Sequence, residues 1–431
     1  MDPILVGVIG IILLFLLMAG GLNIGAGMAI IGFTGFWVLV GAKAAFSRLA
    51  VVPFETVATF DLAVLPLFLF MANVIFHAGF GKDAYTVASR WIGHKPGGLA
   101  MATVAGCAGF AAMSASSLGT AATMGLLSFP EMEKYQYKKS LAAGAIAAGG
   151  TIGILIPPSG ILILYGVLTE SSISRLFMGG IIPGILEALF YIITIYIICM
   201  INPSLGPRGP QYSIKEKIAS LLGCGEIIGL IILVLGGLIV GWFTPTEAGA
   251  VGAAGALFFS LIRRRLSWPD FRKAVRETVK TTGMLYVIMI GAYVFMYFIT
   301  VTNIPFFLAD FVGGLNLPPR AVMGVILLMY FILGCFMDAM SMVLITIPIF
   351  LPVADSLGFG PIWFGIIVVR VMEMAMVTPP MGLMVYTISG MFNIPIQTAF
   401  RGVLPFIVAD ICHVLLLMFV PGVVLWLPSL M

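Results

Sequence analysis

The sequence predicts an all-α polytopic membrane protein made of two inverted-topology repeats, each with a re-entrant helical hairpin and a broken transmembrane helix. Three observations predict it. Of the 431 residues, 61% are hydrophobic and 9% charged, with a mean hydropathy of +1.15; a soluble domain carries roughly 25% charged residues. A shift of 222 residues lays the second half on the first without gaps. Two long apolar segments are each interrupted at their centre by a Pro-Pro pair.

At about 20 residues per span, the length allows about ten spans with short connections. Ile4 to Met18 lacks a basic leader and runs through Gly20-Gly21 into a second span, so it reads as a membrane helix and not a cleaved signal. The first half continues with spans near 4–20, 21–41 and 61–80, an apolar stretch 97–129, a broken helix 140–168 and a span 179–201. A polar linker, 202–220, follows. The second half then gives 221–241, 243–262, 281–302, a stretch 319–351, a broken helix 362–390 and a span 402–427. The repeats are therefore 1–201 and 221–431. No hydrophilic stretch is long enough for a soluble domain, and the net charge is +4. The five cysteines (Cys107, Cys199, Cys224, Cys335, Cys412) sit in apolar segments without metal-like spacing, so neither a disulfide nor a transition-metal site is expected.

The offset of 222 carries Pro96 onto Pro318, Pro130 onto Pro352, Pro157-Pro158 onto Pro379-Pro380 and Pro183 onto Pro405. Gly27, Gly160 and Gly180 fall on Gly249, Gly382 and Gly402. Five of the ten prolines before Pro210 meet a proline, where about 6% proline would give fewer than one match by chance. One fixed offset therefore argues for duplication over a habit of membrane helices.

The stretches 97–129 and 319–351 are too long for one span and too short for two. Small or polar residues interrupt each: Ser114 to Thr120 in the first, Met337 to Ser341 in the second. Both read as hairpins that enter and leave on one side, the alternative being a pair of short tilted spans. Each half then crosses five times, which inverts the second. Basic residues agree, since cytoplasmic segments carry an excess of them. Lys82, Arg90, Lys95, Lys134, Lys138 and Lys139 flank the first hairpin, and only Arg320 flanks the second. The first should open to the cytoplasm with the linker (Arg208, Lys215, Lys217) and the run from Arg263 to Lys280, and both termini should be external. Lys43, Arg48 and Arg175 go against this topology.

A broken span leaves bare carbonyls and amides at mid-depth, tolerable only inside protein or beside a water-filled cavity. Paired broken helices are the pattern of a secondary transporter's binding site. The first tip offers the hydroxyls of Ser114, Ser116, Ser117 and Thr120; the first break offers carbonyls from Gly150 to Ile156, with Ser159 beside them. Sodium can be ligated by such carbonyls and hydroxyls, and half-helix N-termini present amides to an anion. The second half offers Asp338, Ser341 and Thr378. Small residues in a hairpin can equally serve close packing, but their place opposite a broken helix favours a site.

Charged residues inside spans are costly and draw attention. Arg370 and Glu373 lie near the second break and, three apart, could neutralise each other on one helix face. Glu187 and Glu247 are expected in scaffold contacts, Asp61, Asp410 and Arg401 at the interface, and His77 and His413 receive no role.

The run SASSLGTAATMG, then GTIGILIPPSG, SISRLFMGGIIPG, FTPTEAGAVGAA and VTPPMG, resembles the large membrane subunit of TRAP transporters, the tripartite ATP-independent periplasmic transporters. The resemblance covers essentially the whole chain. It implies an elevator-type transporter in the bacterial inner membrane, in which a domain holding both hairpins slides against a scaffold. It also implies sodium-driven uptake of an organic anion such as a C4-dicarboxylate or sialic acid, with no cofactor beyond Na+ as coupling ion. Its partners would be a small four-helix membrane (Q) subunit, a periplasmic substrate-binding (P) protein and the lipid bilayer, with no nucleic acid. Carried over by motif, Ser114, Ser116, Ser117, Gly150, Gly153 and Pro157 would serve one sodium ion, and Asp338, Thr378 and Met381 a second. Substrate would lie near Ser116, Ser117, Thr120, Ser159 and Arg370. Two positions depart from the family pattern: Ala115, where a glycine is usual, and Arg370, where a neutral amide is.

A stand-alone sodium/carboxylate symporter that needs no binding protein is the alternative, and composition and repeats do not exclude it. An enzyme is disfavoured. The phosphate-binding pattern GxxxxGK[ST] and the HExxH pattern are both absent, and the three histidines, His77, His94 and His413, lie far from either break in sequence. A channel does not need two opposed hairpins.

Overall fold

A computed structural model describes residues 2–114, 116–314 and 317–431. The described residues are helical or connecting, with no strand among them. The first half runs α1 Pro3–Ala19, α2 Ile24–Val40, α3 Ala42–Ala58, α4 Val64–His77, α5 Gly81–Ile92, α6 Gly98–Ser114, α7 Ser117–Lys134, α8 Lys139–Leu155, α9 Gly160–Leu168 and α10 Ile173–Ile201. The second runs α11 Ile214–Gly223, α12 Gly225–Val240, α13 Pro245–Ile262, α14 Trp268–Val301, α15 Ile304–Gly314, α16 Pro319–Gly334, α17 Ala339–Ser356, α18 Pro361–Val377, α19 Leu383–Phe392, α20 Ile396–Phe419 and α21 Gly422–Leu425. The 222-residue offset carries α7 onto α17 and α8 onto α18 residue for residue at both ends.

Seven helical segments among the described residues are long and apolar enough to cross a membrane, eight if a bent pair at α11–α12 counts as one span. Every residue of α8 from Leu141 to Leu155 is buried, so the backbone freed by the break lies inside protein, as a membrane demands. The lipid-facing surface falls instead to helices such as α1 and α12, whose Leu5, Leu16, Ile232 and Val240 are exposed.

Two groups of helices are visible. In the first, α2 packs on α14, and α4 on α13 and α14. The α2–α14 crossing depends on absent side chains, because a Cβ on Gly291 would stand 2.1 Å from the Gly25 carbonyl oxygen. In the second, α8 is central and touches α6, α7, α10, α18, α19 and α20. The first hairpin is closely paired, α6 lying along α7, whereas α17 packs more on α15 than on α16.

Several elements depart from the expected spans. Helix α14 begins at Trp268, well before the expected 281, because the Ser267 hydroxyl caps it through the Asp270 amide (3.3 Å) and a proline sits in its first turn. Its early residues Arg272, Lys273 and Arg276 are exposed. The linker 202–220 is helical from Ile214, started by a reciprocal Ser213–Glu216 capping box. His77, given no role, lies with Nε2 2.9 Å from Glu277 Oε2, a hydrogen-bond contact that ties α4 to α14.

Candidate functional site

The first tip lies on the last turns of α8. Ser116 is the N-cap of α7, its hydroxyl accepting from the Gly119 amide at 3.2 Å. Ser114 Oγ donates to the Ser116 carbonyl oxygen (3.0 Å) and sits 2.6 Å from Thr120 Oγ1. A Cβ on Gly153 would come within 3.0 Å of Thr120 Oγ1 and 3.4 Å of the Ser116 carbonyl oxygen; one on Gly150 would meet Ala121 Cβ at 2.6 Å and the Ser117 carbonyl oxygen at 3.1 Å. Glycine at these two positions is what lets the tip approach. The structure thus gathers Ser114, Ser116, Ser117, Thr120, Gly150 and Gly153. Ala115 lies outside the described residues.

Helix α8 stops at Leu155, and α9 starts after Ser159, whose hydroxyl accepts from the Leu162 amide at 3.3 Å. Proline supplies no donor at 157 or 158, and the Pro157-Pro158 peptide is cis. Ser159 is fully buried in its cap. Of the five residues expected to meet substrate, only Ser116 is exposed; Ser117, Thr120, Ser159 and Arg370 are buried. The donor set at this tip is oxygen only, hydroxyl and carbonyl, which suits a hard monovalent cation without a fixed charge.

The second tip is built differently. Asp338 stands at the position matching Ser116 and caps α17, accepting from the Ser341 amide at 3.1 Å and from the Ser341 hydroxyl. Asp338 and Met381 line one pocket of about 320 Å³ with Gly334, Cys335, Phe336, Met337, Leu383 and Tyr386. Thr378 does not line it, and its hydroxyl donates back to the Met374 carbonyl at 2.7 Å. Gly334 rests on α18, where a Cβ would meet Ala375 Cβ at 2.7 Å.

Between the breaks lies a polar centre that sequence reasoning did not assemble. The expected Arg370–Glu373 pair is absent. Three residues leave the two side chains about 60° apart on one helix face, but partners on other helices take each of them. Arg370 Nη2 pairs with Asp410 on α20 and lies 3.5 Å from Glu187 Oε1 on α10. Its Nε donates to His413 Nδ1 at 3.0 Å, and Tyr191 Oη donates to Asp410 Oδ1 at 2.5 Å. Thr151 Oγ1 on α8 lies 3.1 Å from Glu187 Oε1. Glu373 instead turns to the first tip, accepting from Ser117 Oγ at 2.9 Å. All of Glu187, Arg370, Glu373, Asp410 and His413 are fully buried. Asp410 therefore does not face the interface: α20 runs to Phe419, which puts it in mid-helix. His413, left without a role, holds the guanidinium. Glu247 closes a capping box with Thr244 at the start of its own helix, α13. The signal was present in the spacing, since Glu187 and Tyr191 are four apart, Asp410 and His413 three apart, in otherwise apolar spans.

Residues 11–423 match the family described as "Tripartite ATP-independent periplasmic transporter, DctM component". The chain belongs to this family. Its members similar to this TRAP large subunit include the C4-dicarboxylate TRAP transporter large permease protein DctM of Pseudomonas aeruginosa, 34% identical over 91% of this chain and 92% of that one. The sialic acid large permease protein SiaM of Vibrio cholerae is 32% identical over 86% and 87%. The isethionate permease protein DctMQ of Oleidesulfovibrio alaskensis is 31% identical over 98% of this chain and 66% of its own length. These relatives are transporter permease subunits and not enzymes. Among solved structures, the YdaH transporter of Alcanivorax borkumensis superposes with a TM-score of 0.59 at 15% identity, covering 89% of each chain. The antimetabolite efflux pump MtrF of Neisseria gonorrhoeae gives 0.56 at 14% identity, covering 97% of this chain and 96% of that one. At that identity the likeness concerns the fold alone. The TRAP large subunit is thus a multi-pass membrane protein, helical among its described residues, and a component of a tripartite transport system.

Proposed function

We propose that this TRAP large subunit imports an organic anion into a bacterial cell across the inner membrane, driven by sodium, by an elevator motion of two inverted repeats. The observation that carries the reading is the approach of the first tip to the end of α8 just before the first break, where the Ser114 and Thr120 hydroxyls and the Ser116 and Ser117 carbonyls lie against Gly150 and Gly153 as oxygen donors. One sodium ion binds there. A second binds at Asp338 beside Met381, near the second break, without Thr378, whose hydroxyl is turned back to Met374. The anion sits between the breaks, its carboxylate near Ser116, Ser117, Thr120 and Ser159. Arg370 does not meet the substrate, because its contacts with Asp410, Glu187 and His413 hold it in the buried centre. The moving body is the group built on α8 and α18, and the scaffold is the group of α2, α4, α13 and α14.

Support for the inverted repeats comes from element boundaries that recur at one offset and from the excess of basic residues beside the first hairpin. Relatives carrying C4-dicarboxylate, sialic acid and isethionate support an acidic organic substrate. The partners are a periplasmic binding protein and a small Q subunit, the latter favoured by the longer relative called DctMQ. The test is uptake into proteoliposomes holding the chain and its small partner, with and without a sodium gradient and the cognate binding protein. Uptake that needs both supports the proposal. Equal uptake without the binding protein would establish the stand-alone symporter instead, and indifference to sodium would remove the coupling.

A further inference from the structure

The junction of α13 and α14 carries cations that its neighbouring acids do not take up. Seven Lys and Arg residues lie between Arg263 and Lys280. Four acids meet this segment. Asp83 pairs with Arg265, Glu226 with Arg263 and Asp270 with Lys273, while Glu277 contacts His77. Among the described residues, Arg264, Arg272, Arg276 and Lys280 make no ion pair.

Three of these four form a stripe. Arg272, Arg276 and Lys280 stand four apart on α14 and are exposed, with exposed Trp268 one turn ahead, while Ala274 and Thr278 turn inward and are buried. Arg264 stands in the adjoining link at a left-handed φ of +51°, where a helix end ordinarily takes glycine.

The stripe lies at the depth of lipid headgroups. Helix α14 has 34 residues, about 51 Å at 1.5 Å per residue, against about 40–45 Å for a bilayer with its headgroups. The overhang is N-terminal, because exposed apolar Met284 and Val287 follow Lys280 within two turns. Nor does it stand far out in solvent. Helix α13 ends at Ile262 and α14 begins at Trp268, a link that reaches at most about 20 Å, and Leu261 and Ile262 are themselves exposed and apolar. Trp268 is a residue type that favours the membrane–water interface.

We propose that Arg272, Arg276 and Lys280, with Arg264 in the link, bind the headgroups of anionic phospholipids and hold this end of α14 at the membrane surface. An anionic phospholipid fits both halves of the surface. Its phosphate meets guanidinium forks, and its acyl chains lie along Met284 and Val287. A zwitterionic lipid brings a cation as well, which the stripe repels. The site needs neither sodium nor substrate.

Native mass spectrometry of the full chain tests it, with dioleoyl phosphatidylglycerol and dioleoyl phosphatidylcholine offered at equal concentration. The wild type should retain phosphatidylglycerol at least tenfold better. Each basic residue near an anionic surface contributes about fivefold, so Arg272→Gln/Arg276→Gln/Lys280→Gln should lose most of that preference. Arg272→Lys/Arg276→Lys, which keeps the charge, should retain most of it. Lys134→Gln/Lys138→Gln/Lys139→Gln removes equal charge beside the first hairpin and should leave the preference intact. Equal retention of the two lipids by the wild type, or an equal loss in both triple variants, would overturn the assignment. Displacement of phosphatidylglycerol by inorganic phosphate at constant ionic strength would give the stripe to a soluble anion instead. Loss of a co-purified small membrane subunit from the α14 variant, with its lipid preference unchanged, would give it to a protein partner. A melting temperature in phosphatidylcholine matching the wild type confirms that the variant is folded.

Discussion

Removing one side of the Arg370–Asp410 pair gives the sharpest test of the buried centre. Both side chains are fully buried, so each substitution leaves uncompensated charge where water cannot reach it. Breaking a buried pair from one side costs about 3–5 kcal/mol. Asp410→Leu leaves Arg370 with Glu187 at 3.5 Å, so it belongs at the low end, about 3 kcal/mol. Arg370→Met strands both acids and belongs at the upper end, about 5 kcal/mol. At about 2.1 cal/mol/K per residue, a chain of this size has an unfolding entropy of about 0.9 kcal/mol/K. The singles should then lower Tm in mild detergent by about 3 °C and about 6 °C. The double variant Arg370→Met/Asp410→Leu replaces a desolvated pair with apolar groups of similar volume, so it should melt above Arg370→Met alone. Losses that simply add in the double variant would refute the pairing.

Other predictions follow from close approaches and caps. Gly150→Ala drives a Cβ to 2.6 Å from Ala121 Cβ and should cost about 1–3 kcal/mol by overpacking while pushing the tip off α8; Gly109→Ala, which meets nothing within 4 Å, should be neutral or slightly stabilising. The comparison is read by thermal unfolding together with uptake. Gly291→Val would force a Cβ against the Gly25 carbonyl oxygen, and should reduce folded yield by separating α2 from α14, seen as loss of the monodisperse peak. Ser213→Ala removes the capping box of α11 and should cost about 1 kcal/mol locally, detected as faster hydrogen exchange over 214–217 with uptake unchanged.

Much of the architecture was legible because membrane helices advertise themselves by composition and because one offset repeated the prolines. Ser116 and Asp338 were readable as tip residues for the same reason: each precedes a helix within a small or polar interruption. The contacts of the polar centre were not. Arg370 and Glu373 sit one turn apart, so local spacing suggested a mutual pair, whereas their partners come from helices about 40 to 260 residues away in sequence. Asp410 was misplaced because the last span was set some residues too late, which made a mid-helix acid look terminal. Helices α3, α5 and α11 escaped because they are short and amphipathic or polar, and a search for apolar runs passes over them; the Ser213-x-x-Glu216 box was the overlooked signal for α11.

The central claim is that the first tip and the first break form a sodium site, and ion-dependent stabilisation of the purified chain tests it most directly. An ion that binds only the folded chain raises its melting temperature with concentration. Sodium, compared with potassium at equal ionic strength, should raise the Tm of the wild type. Ser114→Ala/Thr120→Val, which removes the paired hydroxyls of the tip, the second of them against Gly153, should lose most of that rise while keeping its Tm in potassium near that of the wild type. An equal sodium-dependent rise in the two proteins would place the ion elsewhere and contradict the account.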